Sequence, residues 1–432
     1  MKPSRKAVVA AASGVAALAA LVGCSSSPGS DAGSGKVTIT IGNRPTTSDA
    51  DNRAYYDKQV KAFEKANPDI TLKPSETVWD ASTFQALVAG GNLPDVLSVP
   101  FTEPQGLIAR KQVADLTDAL KQTKLGGQLN PTVLKVAQDS SGHTYGVPIT
   151  AYSVGLIYNR DLFTKAGLDP SKPPTSREEL RAYADKITAL GNDVKGYYLP
   201  GNCAGCNIFT VGPLMWADGA KIESKGPGDE PLTGDGVKDV LQFTRDMVKA
   251  GNVHEGDRSE NGETFHLQFG TGKVGMMGTG NFNITLARQQ NPGMNFGISL
   301  LPGKTAGKSA SFIGGDLVVV PKGSKRVADS VNVMKFLLSD EVQVEVYAKA
   351  LNLTTRSDMV DNKYFKAEPL VQDVAKALTV GQTPYSTTFF EQINSPQGPW
   401  LKMLQRAYYS NDNLDTVIAD AKKEMKAIAE RG

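Results

Sequence analysis

Three cysteines, three histidines and 45 Asp and Glu residues are where this 432-residue chain could do covalent, metal or acid–base chemistry. Their spacing argues against most of it. Cys203 and Cys206 stand as Cys-Ala-Gly-Cys. A redox role would need a helix start that lowers one thiol pKa. A zinc site would need two further ligands, and His143, His254 and His266 lie at no ligand spacing from the pair. Outside the cytoplasm such a pair most often closes a disulfide, so a small structural loop is expected. No Gly-x-Ser-x-Gly elbow and no His-Glu-x-x-His occurs. Gly303-Lys304-Thr305 and Gly307-Lys308-Ser309 look like P-loop endings, but Ile298 and Pro302 stand where the upstream Gly is required. Gly270-Thr271-Gly272-Lys273-Val274-Gly275 matches the dinucleotide fingerprint in letters, yet a helix-like segment precedes it and a strand-like one follows. Phosphate binding needs the opposite order, so a tight helix-to-strand turn is expected. A carboxylate pair for glycoside hydrolysis could be drawn in many places, and nothing singles one out. The reading is a protein that is not an enzyme and has no metal or cofactor.

The elements that would position a site are those of an α/β protein. Val37, Ile39 and Ile41 alternate with threonines as a strand. Tyr56, Val60 and Phe63 mark a helix that Asn67-Pro68 stops, and Ile70 and Leu72 start a second strand. Phe84, Leu87 and Val88 share a helix face before Gly90-Gly91, and Val96 to Val99 is again strand-like. Strand, helix, strand, helix, strand implies parallel pairing. Further on, Thr175-Ser176-Arg177-Glu178 reads as a capping box ahead of Leu180, Tyr183, Ala184 and Ile187. Leu317 to Val320 reads as a buried strand, and Val327 to Leu338 as a helix face. A further helix opens near Ser339, and an amphipathic helix from Leu414 to Ile428 closes the chain. With 40% hydrophobic and 21% charged residues the chain is globular, and its length suggests two or three domains.

The N-terminus reads as an address. Lys2, Arg5 and Lys6 precede an uncharged, Ala/Val/Leu-rich run from Ala7 to Gly23, the pattern of a secretory signal. Leu21-Val22-Gly23-Cys24 resembles the bacterial lipobox, in which the cysteine is lipidated and becomes the mature N-terminus. The Ser/Gly-rich stretch that follows suits a flexible tether. The formal charge of +2 rests on the signal, because removing it takes away three positive and no negative charges. A near-neutral body excludes nucleic acid as a partner and polybasic attraction to membranes.

Ordered motifs carry a family resemblance over essentially the whole mature chain. They include Phe63-Glu64-Lys65-Ala66-Asn67-Pro68-Asp69-Ile70, Ala89-Gly90-Gly91-Asn92-Leu93-Pro94-Asp95-Val96 and Tyr145-Gly146-Val147-Pro148. Gly155-Leu156-Ile157-Tyr158-Asn159-Arg160-Asp161-Leu162-Phe163 and Pro213-Leu214-Met215-Trp216-Ala217-Asp218-Gly219 follow in the same order. The series resembles the extracellular solute-binding proteins of carbohydrate ABC importers, the family of maltose-binding protein. The resemblance implies a two-lobe α/β fold with an interlobe ligand cleft. It implies a signal over 1–23, a lipidated tether over 24–36, and a first lobe from 37–149 with a return at 317–380. The second lobe would hold 150–316, with the C-terminal helices of 381–432 mainly upon it. The implied partners are a sugar, an ABC permease and, through the lipid anchor, the outer face of the cell membrane, with the protein a monomer.

Within that frame a sugar site combines an aromatic platform with fixed polar partners. Motif position implies Asn43 and Arg44 after the first strand, Trp79 and Asp80 after the second, and Thr102 and Glu103 in the first-lobe ligand loop. Tyr152 falls on the hinge side, Asn207 and Phe209 at the second-lobe ligand turn, and Asn281 and Phe282 where relatives place a stacking Trp. Asp316 opens a buried strand, where an unpaired carboxylate is costly, and Trp400 is a late-chain platform. Rival readings are another polyhydroxylated solute such as a polyol or glycerol phosphate, an anchored glycan hydrolase, and an adhesion module.

Overall fold

The computed structural model describes residues 36–80, 83–384 and 386–431. The expected signal, Cys24 and all of the tether but Lys36 lie outside the described residues.

Strand β1 (Val37–Ile41) pairs in parallel with β2 (Ile70–Pro74), and the helix Ala50–Ala66 connects them. That helix stops at Asn67, as the following proline requires, and buries Phe63 edge-on against Phe336 at 5.5 Å. Ile41 also bridges Val96 in parallel, just ahead of β3 (Leu97–Pro100). The expected parallel strand–helix–strand layer is therefore present.

Two long strands tie this layer to the rest of the molecule. Strand β4 (Gly146–Asn159) pairs through Gly146–Ser153 with β9 (Ser309–Val319), and β9 pairs with β3. The other half of β4, from Val154, pairs with β6 (Val274–Gly280) and β7 (Phe296–Ser299). Strand β5 (Lys195–Tyr197) lies parallel to β6. Strands β8 (Leu301–Pro302) and β10 (Gly381–Gln382) flank the first half of β9. The register slips between Pro148 and Thr150, where proline supplies no ladder donor. Two strands thus pass from one strand layer to the other.

Three cores follow. Ile39, Phe63, Leu72, Val318 and Met334 pack under the first layer. Leu156, Leu180, Leu214, Met276, Met403 and Met425 pack under the second, with the helices Pro399–Tyr409 and Leu414–Ala429. Phe101, Ala151, Ile157, Met277 and Leu353 form a core around the crossing strands.

Local signals are mostly where the residues put them, with one correction. The helix Arg177–Thr188 is capped by Ser176, whose Oγ accepts from Glu179 N at 3.2 Å, while Glu179 accepts from Thr175 N at 2.7 Å. The capping glutamate is therefore Glu179 and not Glu178, because Ser176 rather than Thr175 takes the extended N-cap conformation. The fingerprint-like glycines form a turn: 3₁₀ turns at Phe265–Leu267 and Phe269–Thr271, a left-handed Gly272 (φ 72°), then β6. The helix expected after Ser339 is wound as a π-helix over Val342–Ala348.

Candidate ligand-binding cleft

The loops that leave the ends of β1, β2 and β3 carry six of the expected residues. Asn43 takes a left-handed conformation (φ 63°), which asparagine tolerates better than most residues, and its Oδ1 accepts from Ser98 N at 2.8 Å. Arg44 Nε and Nη2 donate to the two oxygens of Asp57 at 2.8 and 2.6 Å. Its charge is therefore already matched by the first helix. Trp79 is half-buried, with its ring 4.5 Å from Phe84, and Asp80 accepts from Thr83 N and Oγ1. These two residues shape the turn into the helix Phe84–Ala89. Thr102 Oγ1 donates to Glu103 Oε1 at 3.0 Å. Partial burial raises the Glu103 carboxyl pKa, with Glu391 adding repulsion against the opposing pull of Thr102 and Arg110. The 386–394 segment thus lies close to the Thr102–Glu103 loop.

The opposite wall is aromatic. Tyr152 on β4 lies 5.6 Å from Phe282 and 6.1 Å from Phe209, both edge-on, and stacks on Phe312 at 6.1 Å. Tyr152, Phe209 and Phe282 are each only partly buried, so their rings keep accessible surface. His266, exposed, packs edge-on against Phe282 at 5.0 Å, and burial of its surroundings lowers its pKa. The Tyr152 ring lies over Gly314 of β9, and a Cβ there would come within 2.1 Å of it. Asp316, two residues on, is the one exposed residue of β9, paired across the sheet with Thr150 and Pro100. Its carboxyl pKa is raised by desolvation although the side chain is open to solvent, because it lies in a concave surround.

Three expected ligand contacts are corrected. Asn207 is fully buried: its Nδ2 donates to Pro200 O and Cys203 O, and its Oδ1 accepts from Tyr408. Every polar atom of that amide is used within the fold. Asn281, also fully buried, accepts from Ser153 N at 3.0 Å and donates to Leu351 O at 2.5 Å. It closes backbone groups where β6 leaves β4. Trp400 is 0% exposed within the second core, with no ring face left for a ligand. Cys203 and Cys206 are joined in a disulfide at the start of the helix Ala204–Thr210, which also carries Phe209.

Reading the sequence missed Tyr55, Tyr56 and Tyr347. They line a cavity of about 460 Å³ together with Asn43, Thr150 and Asp316. No signal in the residues pointed to them: the π-helical winding that carries Tyr347, a feature frequent at functional sites, shows only in the folded chain.

A strand pair crossing between two α/β layers, with an aromatic wall and carboxylates beside it, agrees with comparisons to known proteins. The family model described as bacterial extracellular solute-binding protein matches residues 58–373. The chain belongs to this family. Among curated relatives of this solute-binding protein, a Brucella abortus binding protein is 29% identical over 320 residues, 72% of this chain and 74% of its own. The Escherichia coli sn-glycerol-3-phosphate-binding periplasmic protein is 28% identical over 306 residues, 65% of this chain and 66% of its own. The solved structure of the sugar-binding protein MalE from Xanthomonas citri superposes with a TM-score of 0.77 at 19% identity, covering 91% of this chain and 97% of that one. The shared fold is the two-lobe periplasmic-binding architecture.

Proposed function

We propose that this solute-binding protein captures a sugar or similar polyhydroxylated solute between two lobes and hands it to an ABC importer. The observation that carries the reading is the aromatic wall of Tyr152, Phe209 and Phe282, partly open beside the crossing strands. Such rings suit the C–H face of a sugar, and nearby carboxylates and amides suit its hydroxyls. The likeness to MalE supports the same class. The lobes would comprise 37–149 with 317–380, and 150–316 with 381–432, closing like a hinge on the ligand. The lipobox at Cys24 and the tether behind it support anchoring at the outer face of the membrane. The relative that binds glycerol 3-phosphate keeps a phosphorylated ligand as the second reading. Arg44 gives it little support, because Asp57 already holds that guanidinium.

A thermal-shift screen against a carbohydrate panel tests the reading. At least one sugar raises the melting temperature, and Tyr152→Ala removes that rise. No shift with any carbohydrate, together with tight binding of a peptide or a metal, overturns it.

A further inference from the structure

Among the described residues, the cavity bounded by the first helix, the crossing strands and the π-helix is lined by a single charged group. Asp316 supplies it, and Tyr55, Tyr56 and Tyr347 form much of the aromatic lining. Among the described residues no Lys, Arg or His lines this cavity of about 460 Å³. Among the described residues, too, the Asp316 carboxylate accepts no hydrogen bond and pairs with no cation. A lone carboxylate in a cavity lined by tyrosines has a definite chemical complement. We propose that the solute bound beside the crossing strands carries an ammonium group, which docks against Asp316 in this tyrosine-lined cavity, two pairs along the β4–β9 ladder from Tyr152. The inference rests on the reading that the cleft binds a polyhydroxylated solute, and it names the charge which that solute bears.

The argument is one of compensation. Covering Asp316 with a neutral sugar would satisfy its oxygens through hydroxyl donors but leave an unbalanced charge in a drying cavity. A phosphate would add repulsion to that cost. An ammonium cancels the charge and gains electrostatic attraction from each tyrosine ring whose face it meets, more so once desolvated. The surroundings already disfavour the bare anion, since burial raises the pKa of Asp316, and Tyr152 and Tyr347 lie close enough to feel its charge. Asn43, Ser98 and Thr150 on the same lining remain for hydroxyl groups. The ammonium could belong to an amino sugar or to a choline-type headgroup, and both present the same cation.

Isothermal titration of the full chain in detergent with two matched pairs tests this. Choline is compared with 3,3-dimethylbutan-1-ol, its uncharged isostere, and glucosamine with glucose. The charged member of at least one pair binds about tenfold or more tightly than its neutral partner, and the pair that shows it identifies the source. Asp316→Asn brings the two members to within about twofold while the melting profile stays that of the native protein. Tyr347→Leu weakens the charged member more than the neutral one. Equal or tighter binding of the neutral members overturns the inference, as does an unchanged preference in Asp316→Asn. If glucose binds and no ammonium preference exists, the charge assignment fails and the sugar reading stands. If neither pair nor any sugar of the wider panel binds, both fail.

Discussion

Asp257 is a buried carboxyl whose pKa is strongly raised, and it lies outside the cleft. It is 7% exposed, its Oδ2 has no hydrogen-bond partner, and its own backbone holds Gly201 N at 2.7 Å. Burial first, then the negative charges of Glu260 and Asp193, push its pKa up to about 7, against the opposing hydrogen bond from its own backbone neighbourhood at His254. A carboxyl whose folded pKa is raised is penalised once pH passes its unfolded value. The penalty is absent below about pH 4, grows up to about pH 7 and is constant above. This group therefore makes the protein less stable at pH 8 than at pH 5, by on the order of 2–4 kcal/mol. Asp257→Asn is expected to remove most of that slope and to raise stability at pH 8, as urea unfolding at the two pH values would show. A slope unchanged in the variant would rule Asp257 out as its source. At this scale, residue type was readable but partnership was not. Asn207 and Asn281 have the side chains of a sugar site, yet each amide is spent on the fold. Asp316, with no hydrogen-bond or ion-pair partner among the described residues, keeps its polar group for something else.

Between elements, the position of Tyr152 is set by the strand beneath it. Gly314 lets the ring lie flat on β9, and Tyr152 and Gly314 are direct partners across the β4–β9 ladder. Gly314→Ala is expected to destabilise the fold by about 1–3 kcal/mol through overpacking and to weaken sugar binding about tenfold or more by lifting the ring. Calorimetry and titration on the same variant separate the two effects. A lower melting temperature with unaltered affinity would mean that the ring takes no part in the site. Much at this scale was legible in the residues. Tyr56, Val60 and Phe63 marked the first helix, Pro68 its end, and alternation marked β1. The face of a short, doubly packed helix was not legible. Asn207 and Phe209 stand two positions apart on Ala204–Thr210, so one points into the core and the other towards Tyr152. Both of that helix's sides meet protein, and periodicity alone could not choose between them. Tyr55 and Tyr347 escaped for another reason: they come from segments far apart in sequence and meet only through the folded cavity.

For the whole molecule, β4 and β9 join the two strand layers, and the proposed closure would turn about those strands. Small-angle scattering on the full chain in contrast-matched detergent is expected to show a smaller radius of gyration on adding a bound sugar, and no change with Tyr152→Ala. An unchanged radius at saturating sugar would exclude closure as the working motion. The near-neutral body agrees with capture governed by the local charge in the cleft rather than by long-range attraction. The same two strands also fix a schedule. β9 borders β3 and β4 at once, yet it begins only at Ser309, and β10 follows at Gly381. As synthesis proceeds from the N-terminus, neither layer can be sealed until about three quarters of the chain has been made. Pairing over such sequence separations makes folding slow. A chain built in this way stays open for longest, its two layers unsealed while most of it is being made.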